Sequence, residues 1–227
     1  TTKTSETATW STVGTGATLI TQTDYETAVW TKITDKNSNI HNINNQLKWK
    51  ESRYQEWNQN EILSNGYSRE FNNAYVFSYL NWITTVPTIQ KAKLEGNLTR
   101  IAMAKMLSYY AINVLWKMPD TSRWTPKFND VTSKQNADYD NAVTLSYQLW
   151  IMWQWIQNFR PNDTVTRAEF ATALSRMLYW LSDGQWSTKY YEPHINKLYN
   201  AWIISKTEPK MKEKRWYVML MLMRSAR

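Results

Sequence analysis

The sequence predicts a mainly α-helical chain of three helix–loop–helix repeats, packed as a pseudo-threefold bundle and preceded by a flexible N-terminal segment. Three observations lead to this fold class: a polar stretch at the start, six later segments with helical spacing of apolar residues, and a pattern shared by every pair of those segments. Each pair is too small to bury its own apolar stripe, so the three pairs should share one core.

The first segment, residues 1–67, is rich in Thr, Ser, Asn and Gln and shows little periodicity. Such a composition is typical of a flexible, surface-exposed spacer. A short helix over residues 44–59 is compatible with the sequence but would be poorly amphipathic. We therefore interpret residues 1–67 as a linker.

Helical periodicity begins at Ser68. In residues 68–82, Phe71, Tyr75 and Tyr79 follow one another at four-residue spacing and form one apolar face. The other predicted helices cover residues 98–116, 137–150, 166–180, 190–202 and 213–224.

A common pattern joins the two helices of each pair. The first helix ends in Trp-Ile, an irregular loop follows, and an arginine opens the second helix. The Trp-Ile steps begin at Trp82, Trp150 and Trp202, and the arginines are Arg100, Arg167 and Arg215. The predicted repeats are residues 68–125 (divergent), 126–182, and 183–227 (short and divergent).

Composition and charge limit the classes of function. The chain has no cysteine, which excludes disulfides and thiolate metal sites. Its most apolar run, residues 216–223, is far shorter than the roughly 20 residues of a membrane span, so no membrane insertion is expected. The net charge is +8: residues 71–227 hold 20 Lys/Arg against 11 Asp/Glu, a balance of +9, and residues 1–70 contribute −1. The basic part would suit a polyanionic partner.

The middle repeat carries the most specific motifs: "FNDV" (128–131), "YDNAVTLSYQLWI" (139–151) and "FRPNDTVTRAEFATALSRML" (159–178). They resemble the S-layer homology repeat of bacterial surface proteins. That repeat runs Phe-x-Asp-Val, a helix ending in Gly-Ile, a second glycine-bearing turn, Phe-x-Pro and Thr-Arg-Ala-Glu. The first repeat lacks Phe-x-Asp-Val and the Glu of the last motif, and the third lacks its Thr and Glu.

This resemblance implies a non-covalent anchor at the extracellular cell surface or cell wall, with no enzymatic activity. Domains of this family bind secondary cell-wall polymers, often with an anionic sugar, in grooves between repeats. The expected partner is a secondary cell-wall polysaccharide or another peptidoglycan-linked polymer, bound by a monomer without cofactor or metal. The expected polymer contacts are Arg167, then Arg100, then Arg215, with Trp153 and Asn162.

Thr166 and Glu169 fit the N-cap and N3 positions of a capping box, and Thr99 opens the corresponding helix of the first repeat. Capping does not explain Arg167, because a cation in the first helical turn opposes the helix dipole. Helix amides and a guanidinium together suit an anion, and arginine can bind a carboxylate through two hydrogen bonds. The other structural positions of the motif are Asp130, a predicted turn or cap residue, and Phe159.

Tryptophan stands where this family has glycine. The chain has 14 Trp and only 5 Gly, and together they come close to the roughly 7% that glycine alone usually supplies. A residue just past a helix C-terminus commonly adopts the left-handed conformation that favours glycine. We therefore expect Trp82, Trp150 and Trp202 to lie at helix C-termini with positive φ.

Two interpretations of these tryptophans are open. In one, the gene comes from a bacterial lineage that reads UGA as glycine, and its UGA codons have been translated as tryptophan. In the other, the tryptophans are genuine and form aromatic platforms for sugar rings.

Two further classes of function also remain open. A basic, aromatic-rich domain is typical of some nucleic-acid binders, but the middle repeat is neutral, with 5 Lys/Arg against 5 Asp/Glu over residues 126–182. No nucleic acid is therefore expected. The chain could also be the anchor portion of a larger wall-active enzyme, although no paired catalytic carboxylates, phosphate loop or nucleophile motif is recognisable in it.

Overall fold

The computed structural model of the chain describes residues 66–86, 88–123, 127–152, 157–180 and 188–226. The described residues form seven α-helices and, apart from isolated bridges, no β-strand. The helices are α1 (Arg69–Leu80), α2 (Arg100–Asn113), α3 (Ser133–Asp138), α4 (Ala142–Gln148), α5 (Arg167–Tyr179), α6 (Glu192–Asn200) and α7 (Arg215–Ser225). Residues 1–65, with the possible helix over 44–59, lie outside the described part. None of the described helices is both long and apolar enough to span a membrane.

Five of the six helices predicted from the sequence are present as single helices, and three of these begin directly after a capping residue. The side chains of Ser68, Thr99 and Thr166 each accept a hydrogen bond from the backbone N–H three residues further on. At Thr166 the capping box is complete, because the Glu169 carboxylate also accepts from the Thr166 N–H at 2.9 Å. Lys214, which precedes α7, makes no side-chain cap, as the missing Thr of the third repeat predicts.

The α3 helix differs from the expectation of one helix over residues 137–150. Asp140 and Asn141 have φ of 55° and 56° and separate α3 from α4. Asp and Asn tolerate the left-handed conformation better than most residues. The Asn136 side chain then accepts a hydrogen bond from the Val143 N–H at 3.0 Å, which holds the turn between the two helices closed.

Three extended segments, each just before the second helix of a predicted repeat, meet around a common centre. The Leu98 N–H donates to the Glu213 carbonyl (2.7 Å), the Glu213 N–H to the Val165 carbonyl (2.9 Å), and the Val165 N–H to the Leu98 carbonyl (2.8 Å). We call this closed cycle of three hydrogen bonds the backbone ring. Around it lie the bridges Asn97–Lys214, Thr99–Thr164 and Thr166–Lys212.

The first amides of α2, α5 and α7 also donate to neighbouring segments. The N–H groups of Arg100, Arg167 and Arg215 donate to the carbonyls of Asp163, Met211 and Gly96, at 3.0, 2.7 and 3.1 Å. The next N–H groups, of Ile101, Ala168 and Trp216, donate to the carbonyls of Pro161, Pro209 and Leu94, at 3.1, 3.0 and 3.2 Å. Since the first amides of a helix have no acceptor within it, these contacts satisfy them from outside.

The closest helix packing joins helices of different predicted repeats: α1 packs on α7, α2 on α4, and α5 on α6. Each pair combines the second helix of one repeat with the first helix of another, and the α1–α7 pair connects the two ends of the described chain. Across that pair, the Arg224 guanidinium donates two hydrogen bonds of 2.9 Å to the Glu70 carboxylate. Periodicity within one segment carries no information about which helix it will pack on.

A large cluster of buried apolar side chains links α1, α2, α5, α6 and α7. Leu107, Leu174, Leu198 and Leu222 come from the last four of these helices and are completely buried. A smaller cluster around Phe159 joins α2 to α4. The core therefore draws on both helices of every predicted repeat.

The prediction for the tryptophans that follow the first helices is confirmed. Trp82, Trp150 and Trp202 have φ of 61°, 61° and 59°, and each lies two residues beyond the end of α1, α4 or α6. Trp116 and Trp180, which follow the second helices α2 and α5, also have positive φ, of 57° and 54°.

Leu222→Ala tests whether α7 closes the core. Leu222 is completely buried, so its truncation should lower the free energy of unfolding by about 2–5 kcal/mol. Met118→Ala, at a side chain that is 83% exposed, should change it by less than about 0.5 kcal/mol. Urea denaturation measures both, and equal effects would contradict the packing of α7.

Candidate functional site at the repeat junctions

Arg100, Arg167 and Arg215 occupy equivalent positions as the first residues of α2, α5 and α7. We call them the junction arginines, because each side chain crosses to a neighbouring loop and donates to a backbone carbonyl there. The acceptors are Phe159 for Arg100 (2.8 Å), Lys206 for Arg167 (2.8 Å) and Ala92 for Arg215 (3.5 Å). These contacts define a first, a second and a third junction.

The second junction holds a buried ion pair. The Arg167 and Glu213 side chains are both 0% exposed. The guanidinium binds the carboxylate through two hydrogen bonds, one from Nε and one of 3.0 Å from Nη2. The Tyr217 ring lies over the same guanidinium, 4.4 Å from Cζ. Arg167 therefore presents no surface to a ligand in this structure, and its predicted polymer contact remains a prediction.

The charge of Glu213 depends on this pairing. Burial raises the pKa of the Glu213 carboxyl above its ordinary value, while the hydrogen bonds and charge of Arg167 act in the opposite direction. Without the arginine, burial alone would act on the Glu213 carboxyl and would raise its pKa further. The pair is thus a structural clamp between α5 and the segment before α7.

The first junction contains two arginines around one carboxylate. Glu169 Oε1 accepts hydrogen bonds from Arg100 at 3.1 Å and from Arg160 at 3.2 Å. Burial raises the pKa of Glu169, but hydrogen bonds from Thr166 and the two arginine charges outweigh it, so the pKa lies below its ordinary value. For Arg100, burial lowers the pKa of the guanidinium and Glu169 opposes that shift.

At the third junction the arginine has no acidic partner. Among the described residues no carboxylate forms an ion pair with Arg215, and the buried Nε atom of Arg215 has no hydrogen-bond acceptor. The only hydrogen bond of its side chain within that part of the chain is the 3.5 Å contact with the Ala92 carbonyl. The neighbouring Lys214 is exposed and pairs with Glu95 at 2.6 Å.

The other predicted site residues collect mostly at the first junction. Phe159 is buried beneath Arg100, whose Cζ lies 5.5 Å from the ring centre. Asp130 accepts from the N–H groups of Phe159 and Arg160, both at 2.7 Å, so it holds a distant loop rather than its own turn. Asn162 is exposed in that loop. Trp153 lies outside the described residues.

One element of the predicted anion site is already occupied. The first amides of α5, expected to face an anion beside Arg167, donate instead to the carbonyls of Met211 and Pro209. In the part of the chain that the structure describes, no group of acidic and histidine side chains could hold a metal ion. Any ligand at the junctions would therefore be bound by side chains rather than by these amides.

Sequence reasoning missed Glu213 and Arg160. Glu213 precedes the N-cap of α7, where the other repeats have the apolar residues Leu98 and Val165. The charge of Glu213 at a position that is apolar in the other predicted repeats was the signal in the sequence that could have revealed its role. Arg160 has φ of 59° and donates a hydrogen bond to Glu169. No signal in its own segment pointed to this contact.

Arg167→Gln should lower the free energy of unfolding by about 3–5 kcal/mol, because it leaves the Glu213 carboxylate buried without a charge partner. Lys134→Gln, which breaks the exposed Lys134–Asp138 pair, should change it by less than about 0.5 kcal/mol. Chemical denaturation compares the two, and a similarly small loss at both would show that the buried pair is not a clamp.

Glu169→Gln tests the lowered carboxyl pKa. Because the pKa of Glu169 is lower in the folded than in the unfolded chain, its ionised form stabilises the fold. This stabilisation is complete above about pH 4.5 and is lost as the pH falls through the folded pKa. The unmodified chain should therefore lose more free energy of unfolding than the variant between about pH 5 and pH 3. Denaturation curves across this range measure the difference, and parallel losses would mean that Glu169 is not held ionised.

Comparison with known proteins gives a family match for part of the predicted middle repeat. Residues 127–171 match the family described as the S-layer homology domain. The matched range contains Asp130, Phe159, Thr166, Arg167 and Glu169, and thus one side of the first junction and the start of α5. No curated protein and no solved structure matches the chain. Residues 127–171 are therefore similar to the S-layer homology domain, a kind of domain that generally anchors proteins to the cell wall.

Proposed function

We propose that the chain anchors a bacterial surface protein to the cell wall, non-covalently, by binding an anionic secondary cell-wall polysaccharide or another peptidoglycan-linked polymer outside the cell. The match of residues 127–171 to the S-layer homology domain carries this proposal. The excess of Lys and Arg in residues 71–227 supports it, because a basic surface attracts a polyanion.

The proposed domain consists of three repeats, residues 68–125, 126–182 and 183–227, in a pseudo-threefold monomer. The backbone ring supports this arrangement, since each repeat donates one N–H to one neighbour and accepts one from the other. Helix packing supports it as well, because all three close pairs combine a second helix of one repeat with a first helix of another.

The polymer contact that we favour is the third junction, around Arg215. At the other two junctions the arginine already has a carboxylate partner, Glu169 for Arg100 and Glu213 for Arg167. A carboxylate on the polymer would give the Arg215 guanidinium the anionic partner that the described protein residues do not provide. Such charge-assisted hydrogen bonds are stronger than neutral ones.

The sequence explains why Arg215 has no acidic partner. Glu169 is the third residue of α5, and the corresponding residue of α2 is Ala102. Glu213 stands just before the N-cap of α7, and the corresponding residue before α2 is Leu98. Neither position that supplies an acid to the other junction arginines therefore carries one next to Arg215.

Among the junction arginines Arg215 is the most accessible, since it is partly exposed while Arg100 and Arg167 are buried. Arg100 and the exposed Asn162 flank the first junction, where a polymer would compete with Glu169. Arg167 would have to leave Glu213 before it could bind anything. The proposal does not depend on Trp153 or on the exposed tryptophans, because its contacts are cationic.

A sedimentation assay with isolated cell walls tests the anchor. The chain should sediment with walls that keep their accessory polymer and stay in solution with walls from which that polymer has been stripped. Arg215→Gln should weaken binding roughly tenfold or more, the effect of losing a charge-assisted hydrogen bond. Arg69→Gln removes the same charge from an exposed position outside the junctions and serves as the matched control.

The outcomes separate the anchor from the site. Equal sedimentation with intact and stripped walls would contradict polymer anchoring. If binding depends on the polymer but is weakened equally by Arg215→Gln and Arg69→Gln, the anchor function is supported. The third junction is then not the polymer-binding site. Thermal denaturation of both variants shows whether the fold is retained.

A further inference from the structure

The described tryptophans are concentrated in one unusual backbone conformation. Five of the six have positive φ, between 54° and 61°, and the exception is Trp216 inside α7. Bulky residues are genuine outliers there, because the Cβ atom meets the backbone carbonyl. Glycine has no Cβ and enters this region freely. The five are Trp82, Trp116, Trp150, Trp180 and Trp202.

At two of these turns, Trp150 and Trp202, the backbone hydrogen bonds form a motif that favours glycine. The Trp150 N–H donates to the Tyr147 carbonyl at 3.0 Å, and the Ile151 N–H donates to the Ser146 carbonyl at 2.9 Å. The turn at Trp202 repeats both bonds, at 2.9 and 3.0 Å. This pair of bonds is the Schellman motif, in which the left-handed position is usually glycine.

Three of the five indoles are exposed. Trp202 is 86% exposed, Trp180 69% and Trp150 48%. A residue that strains the backbone normally persists because its surroundings hold it there. At these three turns much of the indole lies in solvent, whereas Trp82 and Trp116 are half-buried. Where the indole is exposed, the fold requires the backbone conformation more than the side chain.

Composition points the same way. A chain with 14 Trp and 5 Gly has almost no glycine available for its helix ends. Gly66, with φ of 78°, shows what an ordinary left-handed position of this chain looks like. The tryptophans at the five turns occupy the places where such glycines are missing.

We propose that these five residues are glycine in the protein as its own organism makes it, because their codons are UGA and that organism reads UGA as glycine. A genuine aromatic platform explains an exposed ring but does not explain why five rings share a left-handed backbone. This proposal is independent of the anchor function, whose contacts are cationic side chains.

The glycine form changes the surface around two cations. The Arg123 guanidinium lies between the rings of Tyr147 and Trp150, 3.7 and 3.5 Å from their centres, and would keep only the tyrosine. Lys117 lies 4.5 Å from the Trp180 ring centre and would keep its hydrogen bond of 2.6 Å to the Met177 carbonyl. Both cations become more accessible when the indoles are absent.

Codon identity and the mass of the native protein decide the proposal. The gene should carry UGA, and not UGG, at all five positions. In the chain isolated from its own cells, the tryptic peptides 106–117 and 198–206, with Trp116 and Trp202, should each be lighter by the difference between tryptophan and glycine. Peptide 94–100, with Gly96 and no tryptophan, should have the mass that the sequence gives. UGG codons, or peptides with the tryptophan mass, would overturn the proposal.

A stability measurement on the recombinant tryptophan-bearing chain tests the physical basis separately. Trp202→Gly should raise Tm by roughly 2–4 °C, because it relieves an unfavourable φ and loses little packing. Tyr199→Gly, at a 50% exposed aromatic residue in the last turn of α6, should lower Tm, because glycine is unfavourable at a helical position. A fall at Trp202 as large as that at Tyr199 would mean that the turn is not built for glycine and would overturn the proposal.

Discussion

Backbone amides at the starts of three helices constrain this fold most strongly. The first amides of any α-helix lack partners within it, and burying them unpaired is costly. In this chain the starts of α2, α5 and α7 converge, so each must find acceptors on a neighbour. The backbone ring of Leu98, Val165 and Glu213 and the two layers of hydrogen bonds around it provide them. None of these three helices satisfies the hydrogen bonds of its first amides with acceptors from its own segment alone.

The junction arginines follow from that geometry. A cation at the first position of a helix is mildly unfavourable by itself, but here it stands beside the loop of another segment and can bind its carbonyl. Two of the three also meet a carboxylate, and one of those pairs, Arg167–Glu213, is completely buried. The same residue type at the same position thus has three different surroundings. Sequence motifs alone rank the arginines in the opposite order from their accessibility.

Much of the helical architecture could be predicted from the sequence. Periodicity located five of the six expected helices, and local capping chemistry gave the starts at Thr99 and Thr166, since both depend on residues close in the chain. The break before α4 was missed, because two consecutive left-handed residues interrupt a pattern that reads as one helix. Side-chain partners such as Glu213 for Arg167 lie 46 residues apart, and local spacing does not determine such pairs.

Because α1 packs on α7, the helix contacts do not depend on which predicted repeat comes first along the chain. These two helices, joined by Glu70 and Arg224, hold the start and the end of the described chain side by side. A gene that joined these ends and opened the chain between two other repeats would encode the same set of contacts. In evolutionary terms, circular permutation of such a domain would change where its neighbours are attached while leaving the junctions intact.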